Sequence, residues 1–135
     1  MKLYRIAQTS KNALLDKYNL AYPIAPSLID GLEILSDIPN TNSISASFRQ
    51  YEVLKRVRQV PMSDFSVTGK HYSVDGDKKI VQLAEAIKNY RKIKPLIVAI
   101  DDKGPYILEG ATRIDALYRL GIKHFPALVV IDLDE

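Results

Sequence analysis

The sequence predicts an α/β (α+β) domain in which helices cover at least one face of a small mixed sheet. Two observations predict this class. In the second half, short apolar runs alternate with amphipathic helical patterns in the order strand, helix, strand, hairpin strand, helix, strand. The composition, 47% hydrophobic and 26% charged over 135 residues, is typical of one folded domain rather than a disordered chain.

Residues 1–47 are predicted to form an N-terminal extension, partly helical, and residues 48–135 to form the domain. The boundary is placed at residues 39–47, which are small, polar and rich in helix breakers, and which therefore predict a loop.

Two helices are expected in the extension. Residues 12–20 carry apolar side chains at helical spacing. A second helix is predicted with Ser27 as its N-cap and Asp30 three residues later, a pair similar to a capping box. Its apolar positions are Leu28, Ile29, Leu32 and Leu35.

The domain is predicted to begin with a helix over 48–59, followed by extended segments at 60–62 and 65–67. After a turn at 74–77 comes the clearest helix of the chain. Its apolar face consists of Ile80, Leu83, Ala84 and Ile87, at positions i, i+3, i+4 and i+7.

The last third is predicted to be a hairpin, a helix and a final strand. Residues 96–100 form the first strand, 101–105 have hairpin-loop composition, and 106–108 form the return strand. A helix follows from Thr112, and residues 127–131 form the last strand.

The segment between the return strand and the last helix predicts an anion site. Gly110 removes the side chain where strand meets helix, so a ligand can approach the backbone closely. Thr112 and Asp115 form a Thr-x-x-Asp pair, which predicts Thr112 as the N-cap. Free backbone N–H groups at this helix start would then face a phosphate, and the candidate nucleotide- or phosphate-binding residues are Gly110, Ala111, Thr112 and Arg113.

Arg113 is placed against the local electrostatic preference, because a helix N-terminus already carries about half a positive charge. An anion held between Arg113 and the backbone N–H groups would relieve this conflict. The alternative is a salt bridge from Arg113 to Glu109 or Asp101.

Glu109 precedes the glycine, at the mouth of the same site. It is a candidate general base, a candidate ligand for Mg²⁺ beside a phosphate, or a residue that only orients Arg113. Glu109 and Arg113 are the candidate catalytic residues.

Several classes of site are excluded or disfavoured by composition. The absence of cysteine excludes disulfides, thiolate metal sites and cysteine nucleophiles, and fits a reducing cytoplasm. No metal site is expected, since His71 and His124 lie far apart and Asp101 and Asp102 suit a turn. No apolar run is long enough to cross a bilayer, and no export signal is evident.

Positive charge is concentrated in the middle third. Residues 49–94 hold 11 basic and 5 acidic side chains, a net charge of +6, whereas the whole chain carries +3. This distribution indicates either a polyanion-binding surface or a solvated, lysine-rich helix face. The candidate DNA-binding residues are Lys55, Arg56, Arg58, Lys78 and Lys79.

In these features the chain resembles the N-terminal domain of ParB proteins, the ParB/sulfiredoxin-like fold. The strongest element is the Gly-x-x-Arg box at Gly110–Arg113, with a strand before it and an alanine-containing helix after it. The resemblance covers roughly residues 58–131. The segments that carry it are 60–65, 79–87, 94–98, 108–117 and 121–130.

The resemblance implies a nucleotide or phosphate site in which Gly110, Thr112 and Arg113 cradle phosphate and Glu109 stands at the edge. The family includes CTP-binding DNA clamps, nucleases, sulfinic-acid reductases and free-serine kinases. Ala111 stands where relatives often carry histidine or an acid, so this site has fewer candidate catalytic residues than those relatives have. The missing cysteine excludes reductase chemistry by the sulfiredoxin route.

The expected function is therefore a phosphate- or nucleotide-binding domain that contacts DNA through a basic surface. A nucleoside triphosphate with Mg²⁺ is the expected ligand. One alternative is an enzyme of the same fold, either a metal-dependent nuclease or an ATP- or ADP-dependent kinase of the free-serine type. Another is a non-catalytic interaction domain. Residues 1–57 have no counterpart in the resemblance and are candidates for a lid, a dimer arm of a homodimer, or a partner-binding element.

Overall fold

A computed structural model describes residues 13–35, 52–54, 56–65, 76–101 and 103–131. Helices and two small sheets alternate along these residues, which confirms the predicted α+β class. The helices are α1 (13–21), α2 (Asp77–Tyr90) and α3 (Ala111–Arg119), with a 3-10 turn at Met62–Asp64. The strands are β1 (Leu28–Ile29), β2 (Leu32–Ile34), β3 (Glu52–Val53), β4 (Arg58–Pro61), β5 (Lys92–Ile93), β6 (Leu96–Asp101), β7 (Gly104–Glu109) and β8 (His124–Ile131).

The larger sheet has five strands and is built around β8. One edge of β8 pairs antiparallel with β3 and with β4, and its other edge pairs parallel with β6. β7 completes the sheet, antiparallel to β6. The predicted hairpin and last strand are thereby confirmed, and β8 begins earlier than expected because His124 and Phe125 pair with Pro61 and Val60.

The main core lies between this sheet and helices α2 and α3. Leu96, Val98 and Ile100 alternate along β6 on the face that the helices cover, while Ile97 and Val130 form a smaller cluster on the other face. The helices contribute Ile80, Ala84, Ile87, Ile114, Ala116 and Leu117. The helical pattern from Ile80 to Ile87 is confirmed, because its apolar side chains are those that pack on the sheet.

The smaller sheet contains three strands and includes part of the predicted extension. β1 and β2 form an antiparallel hairpin, and β2 pairs parallel with β5. The predicted helix from Ser27 is therefore wrong. Asp30 and Gly31 have φ values of 49° and 82°, and this two-residue turn with positive φ at both positions matches the twist of a hairpin.

The hairpin turn is tied to the larger sheet by one carboxylate. Asp30 Oδ2 accepts hydrogen bonds from the backbone N–H groups of Lys123 (2.8 Å) and His124 (3.1 Å). The residues are more than 90 positions apart, so this contact fixes the small sheet against the start of β8.

Helix α1 confirms the first helix expected in the extension, and it packs on the domain. Tyr18, Tyr22 and Leu32 lie in the main core together with residues of α2, α3 and β8. Tyr22 is fully buried, and its hydroxyl donates a hydrogen bond of 2.6 Å to Asp64 Oδ2. The predicted boundary at residues 39–47 lies outside the described residues and stays a prediction.

The predicted helix over 48–59 is wrong in its described part, where Glu52–Val53 and Arg58–Pro61 are strands paired with β8. Its apolar spacing satisfied a helical template, but pairing with a long central strand overrides so short a pattern. Residues 48–51, Lys55 and most of the predicted segment 65–67 lie outside the described residues.

Candidate phosphate site at the start of helix α3

The candidate site forms where β7 ends and α3 begins. β7 ends at Glu109, Gly110 is the N-cap residue with φ 109° and ψ 27°, and α3 starts at Ala111. Gly110 has no side chain, so the N-cap residue itself offers no side-chain oxygen to the backbone N–H groups of the first turn. The prediction of Thr112 as N-cap is wrong, because Thr112 is the second residue of α3.

Gly110 is required by internal packing. A Cβ atom at this position would lie 2.6 Å from Leu96 Cγ and 3.1 Å from Leu96 Cδ2. Leu96 is fully buried in the main core and has little room to move. The space that the missing side chain leaves is therefore filled by Leu96, and it is the positive φ together with this close approach that demands glycine.

A β-bulge in β7 directs the chain into the site. Ile97 pairs with Glu109, but Val98 pairs with Ile107, so Leu108 is one extra residue in β7. Such bulges bend a strand and re-aim the residues beyond it. Here the bulge sits immediately before Glu109 and Gly110. Register irregularities of this kind leave no mark in the apolar pattern.

Arg113 lies in the first turn of α3, as predicted. Its Nη1 atom donates hydrogen bonds to the backbone carbonyls of Pro95 (2.7 Å) and Lys94 (3.0 Å). The sequence did not predict these two backbone acceptors. Asp101 is at the far end of β6, where its Oδ1 accepts the backbone N–H of Lys103, so the alternative of an Arg113–Asp101 pair is wrong and the turn assignment of Asp101 is confirmed.

The electrostatics of Arg113 reflect its half-buried position. Desolvation by burial lowers the pKa of the guanidinium below its ordinary value, and the negative charge of Glu109 opposes that shift. Glu109 thus lies near enough to act on Arg113 through its charge, as the orienting role requires. The guanidinium is partly dehydrated at the positive end of a helix.

The predicted basic residues fall into different environments. Lys78 and Lys79 are exposed in the first turn of α2, and Arg56 is exposed with φ 66°. Arg58 does not contribute to a surface: it is 6% exposed, and its Nη1 donates to the carbonyls of Tyr22 (3.1 Å) and Asn19 (3.3 Å). Arg58 is buried because every second residue of a strand faces the same side of the sheet, and Arg58 lies two positions before buried Val60 in β4.

A cavity of about 360 Å³ lies away from the candidate site. It is lined at the C-terminal end of α3 by Tyr118 and Gly121, and by Met62 and His124 from neighbouring segments. Within the described residues, no group of three or more His, Asp or Glu side chains is arranged to hold a metal ion. No helix in the described ranges is long and apolar enough to cross a membrane.

Comparisons with known proteins bear on the fold. No family model and no curated protein matches the chain. Among solved structures it is similar to sulfiredoxin from Arabidopsis thaliana, at 17% identity and a TM-score of 0.48, over 57% of this chain and 86% of that one. It is also similar to a Pnob8-like ParB-N domain, at 20% identity and a TM-score of 0.44, over 60% of this chain and 32% of that one. Both proteins represent the fold that the sequence resembles, and the likeness concerns the fold alone.

Proposed function

We propose that this chain is a phosphate- or nucleotide-binding domain whose ligand sits at the start of α3, and that it contacts DNA through a basic surface. The observation that carries the proposal is the placement of Arg113. A half-buried guanidinium occupies the first turn of a helix whose N-cap residue, Gly110, has no side chain.

That placement has a cost that a bound anion would offset, because the favourable charge of Glu109 does not outweigh the desolvation of the guanidinium. The N-terminus of a helix repels a cation by a few tenths of a kcal/mol to about 1 kcal/mol. Burial adds a desolvation cost, which the lowered pKa of Arg113 expresses. Two backbone carbonyls hold the guanidinium in place nevertheless, so its orientation is fixed before any ligand arrives. Preorganised donors of this kind suit phosphate recognition.

The residues present fit the phosphate part of a nucleotide. The backbone N–H groups of Ala111, Thr112 and Arg113 belong to the first helical turn, where phosphate oxygens commonly accept hydrogen bonds. The guanidinium of Arg113 adds a charge. Glu109, next to Gly110, would bear on a bound phosphate through Arg113 or through Mg²⁺.

Thermal unfolding with added ligands tests the proposal. The full chain is scanned with nucleoside di- and triphosphates, with and without Mg²⁺, and with inorganic phosphate and pyrophosphate. A ligand at a hundredfold excess over its dissociation constant stabilises the native state by about 2.7 kcal/mol, enough to raise Tm by several degrees.

The matched variants are Arg113→Lys and Arg119→Lys. Both keep the charge on the same helix, but Arg119 lies in its last turn, at the opposite end from the candidate site. We expect Arg113→Lys to lose most of the ligand-induced shift, because an ammonium lacks the planar fork, and Arg119→Lys to retain it. The proposal fails if no phosphate compound raises Tm, or if the two variants respond alike.

A further inference from the structure

An exposed aromatic ring lies in a cation-rich segment where α2 passes into β5. Tyr90, the last residue of α2, is 75% exposed. Within the described residues, no other ring and no cation is stacked on it. Four cations with exposed side chains surround it in sequence. They are Lys88, Arg91, Lys92 and Lys94, and together with Tyr90 they are called the Tyr90 surface.

The charge of this surface is largely uncompensated. None of its four cations forms an ion pair within the described part of the chain. Two acidic residues are nearby: Glu33, which faces Lys92 in the β2–β5 register, and Glu85, three residues before Lys88 on α2. Four cations against two carboxylates leave a net positive patch.

The strand geometry joins the Tyr90 surface to the candidate phosphate site. Ile93 of β5 points into the core, so Lys92 and Lys94 lie on the opposite, outward side. Arg113 donates to the carbonyl of Lys94, which brings the guanidinium next to the end of the surface. The Lys94 backbone therefore links the end of the Tyr90 surface to the start of α3.

Part of this pattern has a purely structural explanation. Cations in the last turn of a helix interact favourably with its dipole, which accounts for Lys88 and contributes at Arg91. Lys92 and Lys94 lie beyond the helix, and the dipole gives no reason for an exposed aromatic ring. A solvated lysine face likewise needs no tyrosine.

We propose that the Tyr90 surface binds single-stranded nucleic acid, with the ring of Tyr90 stacked on a base and the four cations along the phosphates. The proposal rests on the proposed function, since it makes Arg113 the end of the same phosphate track. An exposed ring in a segment of exposed cations suits unpaired strands, because their bases present free faces. In a duplex those faces are covered by neighbouring base pairs, and a tyrosine at the surface has no access to them.

Fluorescence anisotropy with labelled oligothymidine and oligouridine of about 15 nucleotides, and with a duplex of equal length, tests the inference. We expect both single strands to bind more tightly than the duplex. Tyr90→Ala should weaken single-strand binding about tenfold or more, while Tyr90→Phe, which keeps the ring, should bind like the wild type. Tyr118→Ala removes another exposed tyrosine, at the C-terminal end of α3, and should have no effect.

Salt dependence tests the cations separately. The four cations of the Tyr90 surface should contribute about −3 to the slope of log K against log salt for a single strand, and Lys94→Ser should reduce its magnitude by about 0.7. Lys103→Ser removes an exposed lysine at the far end of β6 and should leave the slope unchanged.

The inference is overturned if no oligonucleotide binds, if the duplex binds as tightly as the single strands, or if Tyr90→Ala matches the wild type. In each of these cases a Tm shift with nucleotides, measured on the same preparation and lost in Arg113→Lys, would leave the proposed function intact. Conversely, tight binding that depends on Tyr90 but is unchanged in Arg113→Gln would support the surface and remove the shared phosphate track.

Discussion

Replacing Gly110 by alanine should destabilise the domain by the sum of two separable costs. The residue has φ 109°, a conformation that costs a residue with a side chain about 1–3 kcal/mol. The new Cβ would also lie 2.6 Å from Leu96 Cγ, and relieving such a clash in a packed core costs about 1–3 kcal/mol more. We therefore expect a loss of roughly 2–6 kcal/mol in the free energy of unfolding.

Gly104→Ala separates the two costs. Gly104 has φ 117°, close to that of Gly110, but a Cβ there would meet nothing within 4 Å. Its substitution should show the backbone cost alone, about 1–3 kcal/mol. Urea denaturation gives the loss in the free energy of unfolding for both variants, provided that the m-values of the proteins are equal.

A double-mutant cycle with Leu96→Ala completes the test. Leu96→Ala removes the Cγ and Cδ2 atoms that Gly110→Ala would strike, so in that background the cost of Gly110→Ala should fall by about 1–3 kcal/mol. The reasoning is refuted if Gly110→Ala costs no more than Gly104→Ala, or if its cost is the same with and without the Leu96 side chain.

Two further predictions concern the packing of the N-terminal residues. Burial, and then the hydrogen bond to Asp64, raise the pKa of Tyr22 above its ordinary value of 10.0, so the folded state holds this proton more tightly than the unfolded state. The contribution of Tyr22 to the free energy of unfolding should be fully present below pH 10 and should fall above it, by up to about 1.4 kcal/mol per pH unit. Urea unfolding of Tyr22→Phe at several pH values should therefore show a shallower alkaline decline than the wild type. Parallel declines in the two proteins would contradict this. Asp30→Gly keeps the positive φ but removes the oxygen that accepts hydrogen bonds from Lys123 and His124, and it should lower the free energy of unfolding by about 1–3 kcal/mol. Asp30→Asn keeps one side-chain oxygen and should cost less. Equal stability of the wild type and both variants would show that the contact contributes nothing.

Local chemistry was sufficient to predict most helices and strands in the second half of the fold. The apolar period from Ile80 to Ile87, the breaker-rich turn after Asp101 and the glycine at 110 each determine conformation within a few residues. For that reason α2, the β6–β7 hairpin and the approximate start of α3 could be predicted without knowledge of their neighbours. The Asp30–Gly31 pair is typical of a hairpin turn, but the apolar residues on either side of it also fitted a helical spacing.

The sequence predicted which residues form the candidate site, but it did not predict the contacts that hold them in place. Arg113 could be placed in a first helical turn from the sequence, since Gly110 and the following pattern define where the helix begins. The carbonyls of Lys94 and Pro95 that accept its hydrogen bonds lie between β5 and β6. No sequence pattern at residues 94–95 predicts a contact with a residue 18 or 19 positions later. The bulge at Leu108 was equally hidden, because register is a property of two paired strands.

The sequence by itself determined the helical or extended conformation of those short segments whose own side chains favour one of the two. It also located a helix start with an arginine in the first turn. Only the tertiary structure decided that Arg58 is buried rather than exposed, that residues 52–61 pair with β8, and that Leu96 fills the space beside Gly110. The physical reason is that burial, strand pairing and close packing depend on residues far apart in the chain, whose approach is fixed by the whole core and not by any local pattern.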